Sequence, residues 1–203
     1  MEDLFKLGNE EKEIRNNDNG RVISKKTPIS KVIRKNKRDL SCKAILDEQG
    51  GLPKTNECLL IKSNGTSDTG GFLTYMLNEG EIDELIISTW IISRSNINFI
   101  CENIDNGKIK KLIFIVSSRM KQMTGGSGRA TYNFLIEEFK KRDQIKIRVP
   151  NSHAKTFSAK IGKNYYTVTG SGNWTENPRI ENYIITNDKN IYDFNKEWMS
   201  DLL

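Results

Sequence analysis

Apolar residues recur with two different spacings along this chain, and the two alternate. Short, nearly continuous apolar runs stand at 58–62, 84–92, 111–116 and 144–149. Their length and β-branched content predict strands. Between them lie segments with apolar residues three or four apart: 68–77, 95–104 with Ile97, Ile100 and Ile104, and 131–141 with Tyr132, Leu135, Ile136 and Phe139. That spacing gathers apolar side chains on one side of a helix. Beyond Pro150 the chain turns strand-like without a helical period, at 151–163, 165–169 and 181–186, before a last helix over 192–203. Strands alternating with helices predict an α/β fold: a mixed β-sheet flanked by helices on both faces. The helical stripes are read as core, and Trp198 as a packing residue of the last helix.

Upstream of residue 56 the pattern weakens. Residues 1–20 are polar and end in an Asn/Asp/Gly cluster, residues 28–34 suit a short helix, and Gly50-Gly51-Leu52-Pro53 reads as a turn. The expected organisation is a basic, partly mobile N-terminal extension over 1–55 and one domain over 56–203.

Charge sharpens that division. The net charge is +6 over 203 residues, with a pI near 9.1. Between Arg21 and Lys43 stand nine Lys or Arg and one acid, Asp39. Arg34, Lys35, Lys37 and Arg38 are the densest part. Such a patch suits a polyanion; the alternative is a solvated basic arm. No run of about 18 apolar residues marks a membrane span, and the absence of a membrane-type amphipathic anchor favours nucleic acid over lipid headgroups as the polyanion. The acidic, polar first 20 residues resemble neither a signal peptide nor a transit peptide. Cys42, Cys58 and Cys101 are odd in number and lack a CxxC spacing. They read as reduced thiols of a cytoplasmic protein, not as a zinc site.

The candidate chemistry lies after Pro150. The only histidine of the chain, His153, precedes Lys155 by two residues; Gly170-Ser171-Gly172-Asn173 and then Glu181 follow. On a strand, His153 and Lys155 would share a face. The glycines allow close backbone approach to a ligand, Ser171 and Asn173 supply donors, and Glu181 would bond the far imidazole nitrogen and fix its tautomer. Together they suit a phosphate: an acid–base or nucleophilic group, a fixed cation, amide donors and a carboxylate. Trp174 reads either as a packing residue or as a platform for a base. The loop 124–129 is only loosely like a phosphate-binding loop; Arg129 is a possible phosphate contact, and a helix-leading loop is the default.

H-x-K, then G-S-x-N, then a glutamate resembles the phospholipase D superfamily of phosphodiesterases, closest to its single-motif, metal-independent nucleases. The resemblance covers about 30 residues, His153 to Glu181. It implies a phospholipase D-like domain in which His153 is the nucleophile. Lys155 and Asn173 hold the non-bridging oxygens, Ser171 orients the site and Glu181 holds the imidazole, with Gly170 and Gly172 at the substrate. It implies no metal or cofactor, and a homodimer, because the two-step reaction uses two histidines. Two departures stand out. Lys160 occupies the position of the motif's aspartate, and 14 residues, Thr156 to Thr169, separate Lys155 from Gly170. The expected function is a nuclease acting on DNA or RNA. The alternatives are a catalytically impaired nucleic-acid-binding module, favoured by Lys160, and a lipid phosphodiesterase.

Overall fold

The computed structural model describes residues 21–27, 35–38, 42–63, 69–123, 126–175 and 179–202, the first two stretches as backbone alone. Nine strands form one sheet: β1 (Arg21–Thr27), β2 (Lys35–Arg38), β3 (Cys58–Lys62), β4 (Glu84–Thr89), β5 (Leu112–Val116), β6 (Ile145–Arg148), β7 (Thr156–Ile161), β8 (Asn164–Gly170) and β9 (Asn182–Asn187). Their order is β2-β1-β3-β9-β8-β7-β4-β5-β6. The β4–β5 and β5–β6 pairs are parallel, and all other pairs are antiparallel. The helices are α1 (Cys42–Glu48), α2 (Thr69–Glu79), α3 (Arg94–Asp105), α4 (Ser118–Gln122), α5 (Gly126–Lys140) and α6 (Lys189–Ser200). This is the expected α/β fold with helices on both faces.

Burial follows from that layering. One face of the sheet packs Leu59, Leu85, Phe114, Phe157, Val168 and Ile185 against α1 to α5. The other face packs Ile86, Ile113 and Ile115 against Tyr192 and Met199 of α6. Every residue of β5 is therefore buried, as a strand covered on both faces requires. In β9, by contrast, Tyr183 and Ile185 are buried while Ile184 is exposed. Asp188 caps α6 by accepting from the Asn190 and Ile191 amides. Glu84 anchors it by accepting from Tyr192 Oη and Lys196 Nζ, both at 2.6 Å. Burial works against the Glu84 charge, yet the Lys196 and Tyr192 hydrogen bonds prevail and hold its carboxyl below the usual range.

Several boundaries differ from expectation. The core does not begin at residue 56, because Cys42, Ile45 and Leu46 of α1 are buried within the main cluster and β1 pairs with β3. Lys35, Lys37 and Arg38 fall on the edge strand β2, where lysine-rich strands discourage sheet-to-sheet association. Residues 1–20, Arg34 and the short helix expected over 28–34 lie outside the described residues. The strand expected over 84–92 stops at Thr89, whose hydroxyl donates to the Ile91 carbonyl at 2.8 Å. The helix expected from 131 begins at Gly126, so Arg129 stands exposed on its first turns. No helix of the described residues is long and apolar enough to cross a membrane.

Candidate active site

His153 and Lys155 do not lie on a strand. The chain over 151–155 is irregular, and β7 starts only at Thr156. The two side chains meet nonetheless. Lys155 Nζ lies 3.0 Å from His153 Nδ1 and 3.5 Å from Nε2, and it donates to the His153 carbonyl at 3.2 Å. An ammonium carries donors only, so this contact requires an accepting ring nitrogen on His153. Among the described residues, Trp90 also meets the His153 ring, with centroids 5.3 Å apart and a tilt of 41°. Lys155 is partly buried. Desolvation lowers its pKa from the ordinary lysine value, opposed by the Glu181 charge.

The sheet brings the rest of the motif to the same place. Thr156 pairs with Thr169, so the start of β7 lies beside the end of β8. The Gly170 amide donates to the Lys155 carbonyl at 3.1 Å. Ser171 then turns out of β8: its amide donates to the Asn182 carbonyl, and its hydroxyl accepts from the Asn182 amide, both at 3.0 Å. The same hydroxyl donates to the carboxylate of Glu181, a residue only 8% exposed. Ser171 is thus one partner of this carboxylate, and Lys155 and Trp90 meet the imidazole. Asn173 is partly buried, and its Oδ1 is enclosed with no hydrogen-bond partner among the described residues. Thr69, at the start of α2, donates to the Gly172 and Asn173 carbonyls at 3.2 and 3.3 Å. Thr69 thereby fixes the loop, a role that no sequence pattern announced.

Gly170 and Gly172 have a packing reason for being glycine. A Cβ at Gly170 would collide with the Asn182 carbonyl oxygen, and one at Gly172 with the Tyr183 hydroxyl. Backbone cannot yield as a flexible side chain can. Gly170→Ala is expected to destabilise the protein by about 3 kcal/mol, the upper range of overpacking, read as the shift in a urea midpoint.

Two residues singled out in the sequence take structural places away from the imidazole. Trp174 is fully buried and packs edge-on against Phe157 at 5.4 Å. Its carbonyl accepts from the Ser93 amide and from Asn96 Nδ2. No face of the indole is left for a base, so Trp174 is core. Lys160 does not border the histidine either. It lies toward the far end of β7, about 13 Å along the strand from Thr156, and its Nζ is 3.7 Å from Asp83 Oδ2. The charge reversal is thus answered locally by an acid. Lys160→Asp is expected to reduce stability by about 0.5–1 kcal/mol through loss of an exposed pair, while any turnover changes less than about threefold. Parallel melting curves and rate measurements check this.

One neighbour of His153 went unnoticed in the sequence. Trp90, expected inside a strand, falls just past the end of β4. With Arg119 of α4 it lines an open cleft against the imidazole. Among the described residues no three His, Cys, Asp or Glu side chains gather as a metal site.

No family model matches the chain, and no curated protein matches it. Among solved structures, polyphosphate kinase from Porphyromonas gingivalis is similar with a TM-score of 0.51 and 15% identity, over 71% of this chain and 26% of that one. Phosphatidylserine synthase from Haemophilus influenzae Rd KW20 gives 0.49 and 15%, over 70% and 38%. TrmBL2, an archaeal chromatin protein for which a mode of DNA binding is described, gives 0.47 and 13%, over 70% and 51%. The chain thus spans between 26% and 51% of the length of these structures. At such identity the first likeness is one of fold. A mixed sheet with helices on both faces is consistent with a phospholipase D-like domain.

Proposed function

We propose that this protein is a metal-independent phosphodiesterase, and specifically a nuclease, working through a covalent phosphohistidine at His153. The observation that carries the reading is the convergence of His153 and Lys155 with Ser171, Asn173 and Glu181 at one end of the sheet. Three separate chain segments supply these groups, and hydrogen bonds lock the segments together.

The chemistry follows from that set. In the copy that attacks, the Lys155 ammonium rests against the imidazole lone pair before substrate arrives. An arriving phosphodiester draws the ammonium onto a non-bridging oxygen and frees the lone pair. The imidazole nitrogen then attacks phosphorus. The N–P bond forms as the P–O bond breaks, and the leaving oxygen takes a proton from a second imidazolium. That second histidine, now neutral, takes a proton from water. The water oxygen attacks phosphorus, the N–P bond breaks, and a phosphate monoester leaves. Lys155 and the Asn173 amide stabilise the charge that builds on phosphorus oxygens. Glu181 holds Ser171 in place and sets a negative charge near Lys155. With a single histidine per chain, the second imidazole comes from a second copy related by a two-fold axis. The basic strand β2 sits at the sheet edge, four strands from β8, or about 19 Å at the usual strand spacing. From there it adds salt-sensitive attraction for a polyanion.

The test is cleavage of labelled plasmid and single-stranded DNA in the presence of EDTA, with quenching in alkaline detergent, which spares the N–P bond, to isolate protein-bound phosphate. EDTA-resistant cleavage with an acid-labile label on His153 supports the reading. Salt-sensitive binding with neither cleavage nor label would make the protein a nucleic-acid-binding module instead.

A further inference from the structure

The cleft beside His153 belongs to no motif, and its lining is specific. It encloses about 540 Å³. Trp90 and Met123 supply apolar surface, Arg119 a guanidinium, and Asn151 and Ser152 polar groups, while His153 closes one side. Among the described residues, no acidic side chain lines it. Three parallel strands build it: Trp90 follows β4, Arg119 follows β5, and Asn151 and Ser152 follow β6. The Ser117 amide donates to the Thr89 carbonyl at 3.1 Å and the Ser118 amide to the Pro150 carbonyl at 2.7 Å, which ties the three walls together. Ligands of α/β sheets gather at such carboxyl ends. Arg119 is exposed and forms no ion pair among the described residues.

Resting on the phosphodiesterase reading, we propose that this cleft takes the base next to the scissile phosphate of a single-stranded nucleic acid. Trp90 stacks that base, and Arg119 holds the following phosphate. The chemistry of the walls selects this substrate. An indole beside a thioether offers a flat apolar contact to a ring, and a guanidinium next to it offers paired donors to a phosphate. A phospholipid would need a continuous apolar groove for its acyl chains, and here charged and amide groups interrupt the apolar surface. The substrate is single-stranded because duplex stacking covers both faces of a base, and only an unstacked base reaches a partly buried indole. Trp90 also touches the imidazole, so a stacked base would seat its own phosphate against His153.

The experiment measures binding on a His153→Asn background, which removes turnover and keeps a side chain against Trp90. Three probes are compared: a short single-stranded oligonucleotide, the same oligonucleotide with abasic sites, and its duplex. The intact single strand is expected to bind about ten- to a hundredfold tighter than the abasic one, the usual worth of a stacked base. Adding Trp90→Ala brings that ratio to within about twofold, and Trp90→Phe restores most of it. Adding Arg119→Ala weakens both single strands alike and lowers the salt slope by about 0.7. A merely structural Trp90 would not move the ratio between intact and abasic strands. Equal binding of the two, or a ratio that survives Trp90→Ala, overturns the inference, as does a duplex that binds better than the single strand. Failure of the enzymatic reading looks different: base-dependent binding persists while the unsubstituted protein cleaves nothing.

Discussion

His153→Ala is expected to lower phosphodiester cleavage by about 10⁴-fold or more, the scale seen when a covalent nucleophile is removed. The imidazole is the only group of its kind in the chain, so no neighbour can take over its nucleophilic role. It is exposed and outside any strand, so its loss should leave the melting temperature within about a degree or two. A further consequence follows from the two-fold arrangement. Wild-type protein mixed and re-equilibrated with excess His153→Ala should lose activity as the square of its own fraction, because a mixed dimer carries one histidine where two are needed. Activity that instead falls in simple proportion would mean that each chain works alone. Cleavage by the variant equal to wild type would remove His153 from the chemistry altogether.

Lys155→Met is expected to reduce kcat by about 10²–10³-fold, the usual effect of deleting one donor to a developing phosphorus or oxyanion charge. Its effect on stability should run the other way. Partial burial lowers the Lys155 pKa against the opposing pull of Glu181. The folded state therefore disfavours the charged form, a penalty present at neutral pH that disappears only above the ordinary lysine pKa of 10.5. Methionine has no charge to desolvate and similar length, so the variant should melt at the same temperature or slightly higher. Lys155→Arg should not recover the rate, because a planar fork cannot occupy the place of a point charge 3.0 Å from Nδ1. Steady-state rates beside melting curves read both effects. A Lys155→Met variant that loses stability along with activity would point to a structural lysine.

Much of the layering was legible in the amino-acid pattern. The LIFIV run of β5 announces a strand buried on both faces, and the Ile97, Ile100, Ile104 spacing announces α3, because burial requirements and backbone period are local. The motif was equally legible as a set of residue types: His153, Lys155, Gly170 to Asn173 and Glu181 are the groups that a phosphate needs. Their convergence was not a matter of strand alternation, as expected. Lys155 reaches His153 from an irregular segment, held by the Gly170 amide from the neighbouring strand.

What the tertiary structure alone decided concerns residues whose meaning depends on distant partners. Two tryptophans near the site look alike in sequence. Trp174 is shut into the core by Phe157, while Trp90 is left at a strand end where the chain turns toward the cleft. Lys160 reads as a defect in the motif until β4 pairs with β7 and places Asp83 within 3.7 Å of it. Gly170 reads as a flexible turn residue until β9 passes so close that no Cβ fits. The sequence by itself determined which elements form and which groups are available for chemistry, since hydrophobic period and side-chain type are properties of a short stretch. Strand order and register decided which of those groups share a surface, because these contacts join segments up to about a hundred residues apart, as Thr69 meets Gly172 across 103 positions, and no local pattern carries that distance.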